Sequence, residues 1–281
     1  MCCAGYRTDK RRNNFLYKAL PARNVLSERI PTPLRKSARP IGQDTVVTSE
    51  ILGAPLDNKL LSSLPRGPFE LLAPHMMTEP LEQGLVLVEA GDEIDYVYFP
   101  HYGMLSLLAV LKDGKAIETA TVGREGVVGA MAGLGLYRSL VRVVVQLSIG
   151  VTKIPTAQFR KAVAQSDALR DLCIHYNEVL LSQARVTAAC NALHNIEARL
   201  CRWLLQTADR AGGDRITLTQ EFLAEMLGVR RSSVTEVASK IQSTGVISYS
   251  RGVIKILDRP AVERMSCECY QTLLEQSSTI G

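Results

Sequence analysis

Residues 220–239 read Gln-Glu-Phe-Leu-Ala-Glu-Met-Leu-Gly-Val-Arg-Arg-Ser-Ser-Val-Thr-Glu-Val-Ala-Ser. The fifth of them, Ala224, is small where a second helix would cross closely, and the ninth, Gly228, stands where a tight turn needs a left-handed backbone. Val234 and Val237 are three residues apart, so they share one helical face. This spacing predicts a helix-turn-helix unit. The alternative is an ordinary helical hairpin, which also favours small residues at its turn.

The second helix of this unit is expected at about 231–244, with one buried apolar stripe made by Val234, Val237, Ala238 and Ile241. The opposite face is polar, with side chains long enough to reach base edges and phosphates in a major groove. A solvated face would also be polar, but its place directly after the turn favours DNA. Arg231 can fork onto a guanine, and Glu236 can accept from a cytosine or hold Arg231 in position. The predicted DNA contacts on this helix or directly before it are Arg230, Arg231, Ser232, Ser233, Thr235, Glu236, Ser239 and Lys240.

The segment that follows, 245–257, has the pattern of a β-hairpin. Apolar residues alternate on either side of Ser250-Arg251-Gly252, a turn sequence. A helix-turn-helix followed by a two-stranded hairpin is a winged helix. Arg251 at the tip of the wing is predicted to contact the phosphate backbone, which positions a protein on DNA without reading its sequence.

Charge is distributed unevenly along the 281 residues, although the net charge is only +5. Residues 1–42 contain ten basic and two acidic residues, four prolines and no helical or strand period. This composition is typical of a disordered leader or of a start assigned too far upstream, with a nonspecific DNA-binding arm as the alternative. No apolar run approaches the length of a membrane span or signal peptide, so we expect a cytoplasmic protein without a membrane partner.

Seven cysteines occur at positions 2, 3, 173, 190, 201, 267 and 269. None forms a Cys-x-x-Cys pair, and no histidine lies at ligand spacing from another, so the sequence predicts no metal site. Cys173, Cys190 and Cys201 fall in helical patterns and are expected to be small core residues. Cys267-Glu-Cys269 is either redox-active or a pair of inert thiols, and its place near a terminus favours inert thiols.

The middle of the chain, from about 81 to 154, has short strand-like segments separated by turn sequences, which indicate a sandwich or barrel. Two short helices are expected within 57–75. The predicted strands are Leu85–Val88, Tyr96–Phe99, Met104–Leu111, Ala116–Val122 and Val141–Leu147, with a turn at His101-Tyr102-Gly103.

A long helix is predicted from Asp167 to about Asn191, because apolar and small residues repeat there at alternating spacings of four and three. Such a repeat is typical of a coiled-coil seam and favours self-association. The alternative is a single helix buried against its own β domain. A second helix is expected from Ile196 to about Ala211. The predicted dimer contacts are Leu169, Leu172, Tyr176, Leu180, Gln183 and Thr187.

With this order of elements, the chain resembles the Crp–Fnr superfamily of bacterial transcription regulators. The matching residues are Glu89–Phe99 with Gly103, Ile196–Leu205 and Leu218–Leu257. The resemblance implies an α+β fold: an N-terminal jelly-roll-like β-roll, a long dimerisation helix and a C-terminal winged helix-turn-helix. It also implies a homodimer that binds palindromic double-stranded DNA and contacts RNA polymerase. The family's base-reading positions fall on Arg231, Ser232 and Glu236; the arginine is kept, but the other two differ from well-known members.

The expected domain boundaries follow from these elements. They are a basic leader at 1–45, a cyclic-nucleotide-binding-like β-roll at 46–165, the dimerisation helix at 166–194, the DNA-binding domain at 195–265 and a tail at 266–281.

The effector site departs from the family pattern. Cyclic-nucleotide-binding members carry Gly-Glu, whose carboxylate holds the ribose, and then Arg-Ser/Thr-Ala, whose arginine pairs with the cyclic phosphate. Gly129 and Arg138-Ser139 match, but Ala130 replaces the glutamate and Leu140 the small residue, while Glu125 lies in the wrong register. We therefore expect no cofactor and no cyclic AMP binding; another small effector is left open. Arg138 is expected either to bind another anion or to form a structural salt bridge.

Two other functions compete with a sequence-specific DNA-binding regulator. A cupin-like enzyme on the β domain would need a His-x-His…Glu…His metal set. The four histidines, at 75, 101, 175 and 194, contain no such pair, so no enzyme activity is expected. The other is a protein-interaction module that has lost DNA binding, against which Arg231 and the intact wing argue.

Overall fold

The structure is a computed structural model and describes residues 57–278. The predicted leader at 1–45 lies outside the described residues. Two short helices open the described part, α1 (Lys59–Ser63) and α2 (Arg66–Leu72), as the sequence predicts. Five strands then form the β-roll: β1 (Met77–Leu81), β2 (Val86–Val88), β3 (Tyr96–Val110), β4 (Ala116–Val122) and β5 (Arg142–Pro155).

The β-roll is one antiparallel sheet in the order β1-β5-β3-β4, with β2 also paired to β5. Strands β3 and β5 are long, and their pairing register shifts at three places between Pro100 and Leu105. Bulges of this kind bend a strand strongly without ending it. The turn predicted at His101-Tyr102-Gly103 is therefore wrong: the segment is a bulged part of β3. Gly103 is required there, because it has a φ of 76° and a Cβ would lie 2.3 Å from the carbonyl oxygen of Ser148.

Two helices follow the sheet, α3 (Thr156–Gln165) and the long α4 (Asp167–Leu193). The side chain of Ser166 caps α4 by accepting a hydrogen bond from the backbone N–H of Leu169. Helix α4 ends at Leu193 with His194 as its C-cap, and Asn195 caps the next helix by accepting from the N–H of Ala198. A short link thus joins the long helix to the C-terminal domain.

The C-terminal domain contains the predicted winged helix and additional elements. Its three-stranded sheet has the order β6-β8-β7, in which β6 was not predicted from the sequence. Trp203 lies fully buried in the core beneath the helices. The elements are α5 (Ile196–Ala211), β6 (Arg215–Thr217), α6 (Gln220–Leu227), α7 (Arg231–Ser243), β7 (Ile247–Ser250), β8 (Val253–Ile256), α8 (Arg259–Met265) and α9 (Cys269–Ser278). The predicted tail therefore contains a helix, α9.

Helix α4 corrects part of the predicted dimer seam. Leu169, Tyr176 and Gln183 are buried within their own chain, and Oε1 of Gln183 accepts a hydrogen bond from the N–H of Thr121. The other predicted residues, Leu172, Leu180 and Thr187, are half-buried. The repeat from Leu169 to Gln183 thus faces the chain's own β-roll, because the sheet needs an apolar cover on that side.

A different stripe of α4 faces outward and is called the exposed seam below. It consists of Ile174, Leu181 and Ala188, which repeat every seven residues. Ile174 and Leu181 are 49% and 41% exposed, so both leave apolar surface uncovered in the single chain. None of the helices in residues 57–278 is long and apolar enough to cross a membrane.

The β-roll and the C-terminal domain share buried contacts. Met104, Leu108 and Val144 of the sheet pack into the same core as the C-terminal helices. The indole N–H of Trp203 donates to Oε1 of Glu118, 3.0 Å away on β4. These contacts fix the C-terminal domain against the outer face of the sheet.

Candidate DNA interface and effector pocket

The two helices of the candidate DNA interface meet at Gly228, which has a φ of 63°. Its N–H bonds to the last carbonyls of α6, which is how a left-handed residue ends a helix. Ala224 is buried at the crossing, and Thr219 caps the start of α6 by accepting from the N–H of Phe222. A Cβ on Gly228 would also lie 2.5 Å from Cδ1 of Ile117 on β4. The glycine is therefore needed for both the turn and its packing on the β-roll.

Helix α7 presents the predicted polar face to solvent. Val234, Ala238 and Ile241 are buried, while Val237 is half-buried. Two polar residues have partners in the protein: Lys240 Nζ lies 2.5 Å from Glu197 Oε2, and Thr235 Oγ1 lies 2.9 Å from Gln220 Oε1. Of the predicted contacts on or before α7, Ser233 is half-buried and the exposed ones are Arg230, Arg231, Ser232, Thr235, Glu236, Ser239 and Lys240.

The wing is a tight hairpin between β7 and β8. Its two turn residues, Arg251 and Gly252, have φ values of 51° and 78°. Two consecutive left-handed residues form the turn type that fits the twist of a hairpin. The exposed Arg251 and Arg231 line the same surface recess of about 380 Å³, together with Thr219, Gln220, Tyr249, Ser250 and Gly252. Two guanidinium groups beside hydroxyl and backbone donors are suited to phosphate oxygens.

A cavity of about 760 Å³ lies between the β-roll and α4. Its volume is in the range of small-molecule sites, and its lining is largely apolar. The four residues predicted for the effector site, Gly129, Ala130, Arg138 and Ser139, all line it. Helix α4 contributes Cys173, Tyr176, Asn177, Leu180, Leu181 and Ala184.

Comparisons with known proteins identify both domains. Residues 78–166 match the model of the cyclic nucleotide-binding domain, and residues 198–265 match that of the Crp-like helix-turn-helix domain. The chain belongs to the Crp–Fnr superfamily. It is a DNA-binding transcription regulator of this type, with the α+β fold predicted from the sequence. Among curated proteins, none matches its sequence significantly.

Solved structures of Crp–Fnr regulators have the same fold. FixK2 from Bradyrhizobium japonicum is 14% identical, with a TM-score of 0.59, over 68% of this chain and 98% of that one. The c-di-GMP responsive global regulator CLP from Xanthomonas campestris is 18% identical, with a TM-score of 0.57, over 68% and 99%. A Crp/Fnr-family protein from Eubacterium rectale is 17% identical, with a TM-score of 0.60, over 74% and 97%. At these identities the likeness concerns the fold.

Glu125 lies five residues before Ala130 in the sequence, the position of the ribose-binding glutamate in the family pattern. In this Crp–Fnr protein its carboxylate pairs with an arginine instead. Its Oε1 accepts from Arg210 Nη2 at 2.7 Å and from Arg210 Nε at 3.1 Å. Burial alone would raise the pKa of Glu125, but the charge of Arg210 and the hydrogen bonds outweigh burial and lower it. Glu125 therefore joins the β-roll to α5 and does not line the cavity. Among the described residues that line the cavity, Glu93 is the one acid.

Arg138 lies at the rim of the cavity. Its Nη1 donates to the carbonyl of Gly91 at 3.0 Å, and its Nη2 is 3.8 Å from Glu93 Oε1. Both charged side chains are more than two-thirds exposed, so this ion pair contributes little. Ser139 is buried, and its hydroxyl donates to the carbonyl of Val141, whereas Leu140 is exposed. Arg138 thus has a structural partner but is still accessible to an anion.

Sequence reasoning missed two groups of residues. Glu118 and the pair of Glu125 with Arg210 join the domains, and no local pattern reveals partners 85 residues apart. The second group is Cys190, His194, Cys267 and Cys269, whose ligand atoms lie within 4.8 Å of one another. Part of that signal was in the sequence, because Cys190 and His194 are four residues apart near the end of a helix and so lie on one face.

Proposed function

We propose that this regulator binds a two-fold symmetric DNA site as a homodimer and that α7 reads the bases. The observation that carries this proposal is the exposed polar face of α7 directly after the Gly228 turn, with Arg231 and Arg251 at one recess. A recognition helix inserts its first turn into the major groove, while a wing contacts the DNA backbone. Arg231 lies in the first turn of α7. The arrangement supports base contacts by Arg231 and phosphate contacts by Arg251. As the family resemblance implies, the bound dimer would also contact RNA polymerase.

The dimer forms through the exposed seam of α4. Ile174, Leu181 and Ala188 repeat every seven residues, so each occupies the same position of a heptad and lies on the same side of the helix. Their exposure in the single chain leaves an apolar stripe that a second copy of α4 would cover. Symmetry would then place two α7 helices on the same side of the dimer, facing one DNA duplex.

The cavity takes an effector less polar than a cyclic nucleotide. Ala130 supplies no carboxylate for a ribose, and Glu125 is held by Arg210. The lining instead contains aliphatic side chains and Tyr98, with Arg138 at the rim for one negative group. Because Leu181 belongs both to the cavity and to the exposed seam, a bound effector would adjoin the dimer contact.

A regulator is favoured over an enzyme by the place of the possible metal ligands. The described residues contain one cluster of potential ligands, which includes a single histidine and lies outside the β-roll, around the end of α4. In the β-roll, His101 is bonded through Nε2 to Thr152 at 2.8 Å and through Nδ1 to the N–H of Asp57 at 3.1 Å. It therefore has a structural role in the sheet.

Selection of bound sequences from a random DNA pool tests this function. The expected product is a two-fold symmetric site whose half-sites lie about 34 Å apart, one helical turn. The salt dependence of binding to that site measures the number of phosphate contacts. Enrichment of an asymmetric single site would contradict the dimer, and no enrichment at all would contradict sequence-specific binding.

A further inference from the structure

Four potential metal ligands converge where the long helix ends. Cys190 lies in the last turn of α4, and His194 directly follows that helix. Cys267 lies between α8 and α9, and Cys269 is the first residue of α9. Cys190 Sγ is 3.5 Å from Cys267 Sγ, and Cys269 Sγ is 3.6 Å from His194 Nδ1. The three cysteines are buried and form a small cluster of their own.

These two distances are close to the edges of a tetrahedral site around one ion. Zinc–sulfur bonds of about 2.3 Å and zinc–nitrogen bonds of about 2.0–2.1 Å give tetrahedron edges of roughly 3.8 Å between sulfurs and 3.5 Å between sulfur and nitrogen. A disulfide would need a sulfur–sulfur distance of about 2.05 Å. Iron–sulfur clusters place several iron and sulfide ions between their ligands, which must then lie farther apart than they do here. Three sulfurs and one nitrogen, all within 4.8 Å of one another, favour zinc.

The histidine has the partner that a metal-bound imidazole requires. His194 Nε2 is 3.2 Å from Glu268 Oε1, while Nδ1 faces the sulfurs. If Nε2 carries the proton and donates it to the carboxylate, the lone pair of Nδ1 is free for a metal. The residue between the two cysteines thus orients the fourth ligand.

Two buried arginines supply positive charge beside the cluster. Arg199 and Arg202 are 6% and 5% exposed, and they interact electrostatically with Cys190. Their Nε atoms have no hydrogen-bond partner among the described residues. Three thiolates, a neutral imidazole and Zn²⁺ together carry one negative charge, which would offset one of these two buried positive charges.

We propose that Cys190, His194, Cys267 and Cys269 bind one zinc ion that fixes the C-terminal helix α9 to the junction between the long helix and the DNA-binding domain. The junction is the link around His194 and Asn195, so one ligand lies within the link itself. Helix α9 packs on both α4 and α5. The ion therefore holds the angle at which the DNA-binding domain leaves α4.

Metal analysis of the full-length protein, purified under reducing conditions, is the first test. We expect one zinc per chain, and an apoprotein that takes up Co²⁺ should show the absorption of a tetrahedral cobalt–thiolate site. Cys269→Ser and His194→Ala should lose the metal. Cys173→Ala and Cys201→Ala, which remove buried thiols outside the cluster, should retain it. Reduced wild-type protein that binds neither ion would overturn the proposal, as would several irons per chain or a Cys190–Cys267 disulfide in place of the metal.

Glu268→Gln gives a graded test that does not depend on removing a ligand. Loss of the carboxylate behind His194 should lower the zinc affinity about 10–100-fold in competition with a chelator. The neighbouring exposed acid Glu263, which pairs with Arg259, provides the control in Glu263→Gln. Equal zinc affinities for the two variants would refute the role of Glu268 in orienting His194.

The role at the junction is tested separately, on the DNA site selected above. Stripping zinc should weaken binding to that DNA, and adding zinc back should restore it in the wild type but not in Cys269→Ser. Unchanged DNA affinity of the stripped protein would refute the role at the junction. Failure of the proposed function would give a different result, because the zinc-loaded protein would then select no DNA sequence at all.

Discussion

Because glutamine has nearly the same shape as glutamate, replacing Glu125 by glutamine should measure how much the charge of the Glu125–Arg210 pair contributes to stability. The two side chains are only 16% and 13% exposed, and two nitrogens of Arg210 donate to the same carboxylate oxygen. That oxygen also accepts from the N–H of Gly123 at 3.1 Å. Glutamine keeps an acceptor in this place but removes the carboxylate that is hydrogen-bonded to the buried guanidinium of Arg210.

The expected loss follows from this burial. Two unit charges about 4 Å apart attract each other by about 4 kcal/mol at an effective dielectric constant of roughly 20. Removing one partner of a buried pair typically costs about 3–5 kcal/mol, and the partial exposure here favours the lower end. A loss of about 3 kcal/mol corresponds to a fall in Tm of roughly 6–12 °C for a protein of this size.

The dependence on pH has a definite sign. The pKa of Glu125 is lowered in the native state from its ordinary value of 4.5, because Arg210 and the hydrogen bonds outweigh burial. The carboxylate therefore stabilises the native state above pH 4.5 and loses this contribution as the pH falls through the lowered native pKa. The difference in the free energy of unfolding between wild type and Glu125→Gln should be full at pH 7 and should narrow below pH 4.5.

Urea denaturation at several pH values measures this difference, with Glu70→Gln as the control. Glu70 pairs with Arg66 on the surface, where an ion pair contributes about 0–1 kcal/mol. If Glu125→Gln changed stability by less than about 0.5 kcal/mol, as ordinary surface substitutions do, the pair would not hold the domains together. A large difference that stayed constant down to pH 3 would contradict the assignment to charge.

Three further predictions concern the proposed function. Arg231→Ala should cost about 1–3 kcal/mol of binding free energy at one base position in each half-site. Arg251→Ala should weaken binding to all DNA sequences evenly and flatten its salt dependence, while Arg66→Ala should do neither. An unaltered base preference of Arg231→Ala would contradict the placement of α7 in the major groove. Leu181→Asp should place a charge in the exposed seam and give a monomer in sedimentation, whereas a dimer that persisted would exclude this seam. Calorimetric titration should detect no cyclic AMP binding, because a missing carboxylate hydrogen bond costs about 1.5–3 kcal/mol, or about ten- to a hundredfold in affinity; micromolar binding abolished by Arg138→Ala would contradict this.

The sequence by itself determined the elements whose signals are local. Ala224, Gly228 and Val234 fall within eleven residues, and each position is set by the backbone or by its own helix. The second helix was therefore predicted to begin at the correct residue, Arg231, and to end one residue beyond Ser243. The wing was predicted from the turn sequence Ser250-Arg251-Gly252, of which Arg251 and Gly252 form the turn while Ser250 ends β7. The interruption of β3 at Gly103 was predicted wrongly, because a glycine with positive φ occurs both in turns and in bulges.

The tertiary structure decided which faces and which distant side chains meet. Both stripes of α4 have coiled-coil spacing, and only the presence of the β-roll shows that Tyr176 is buried while Leu181 is exposed. Likewise, Cys190 and Cys267 are 77 residues apart, and packing of α9 on α4 brings their sulfurs together. The physical reason is that periodicity reports which residues share a face, whereas the partner of that face depends on how the whole chain packs.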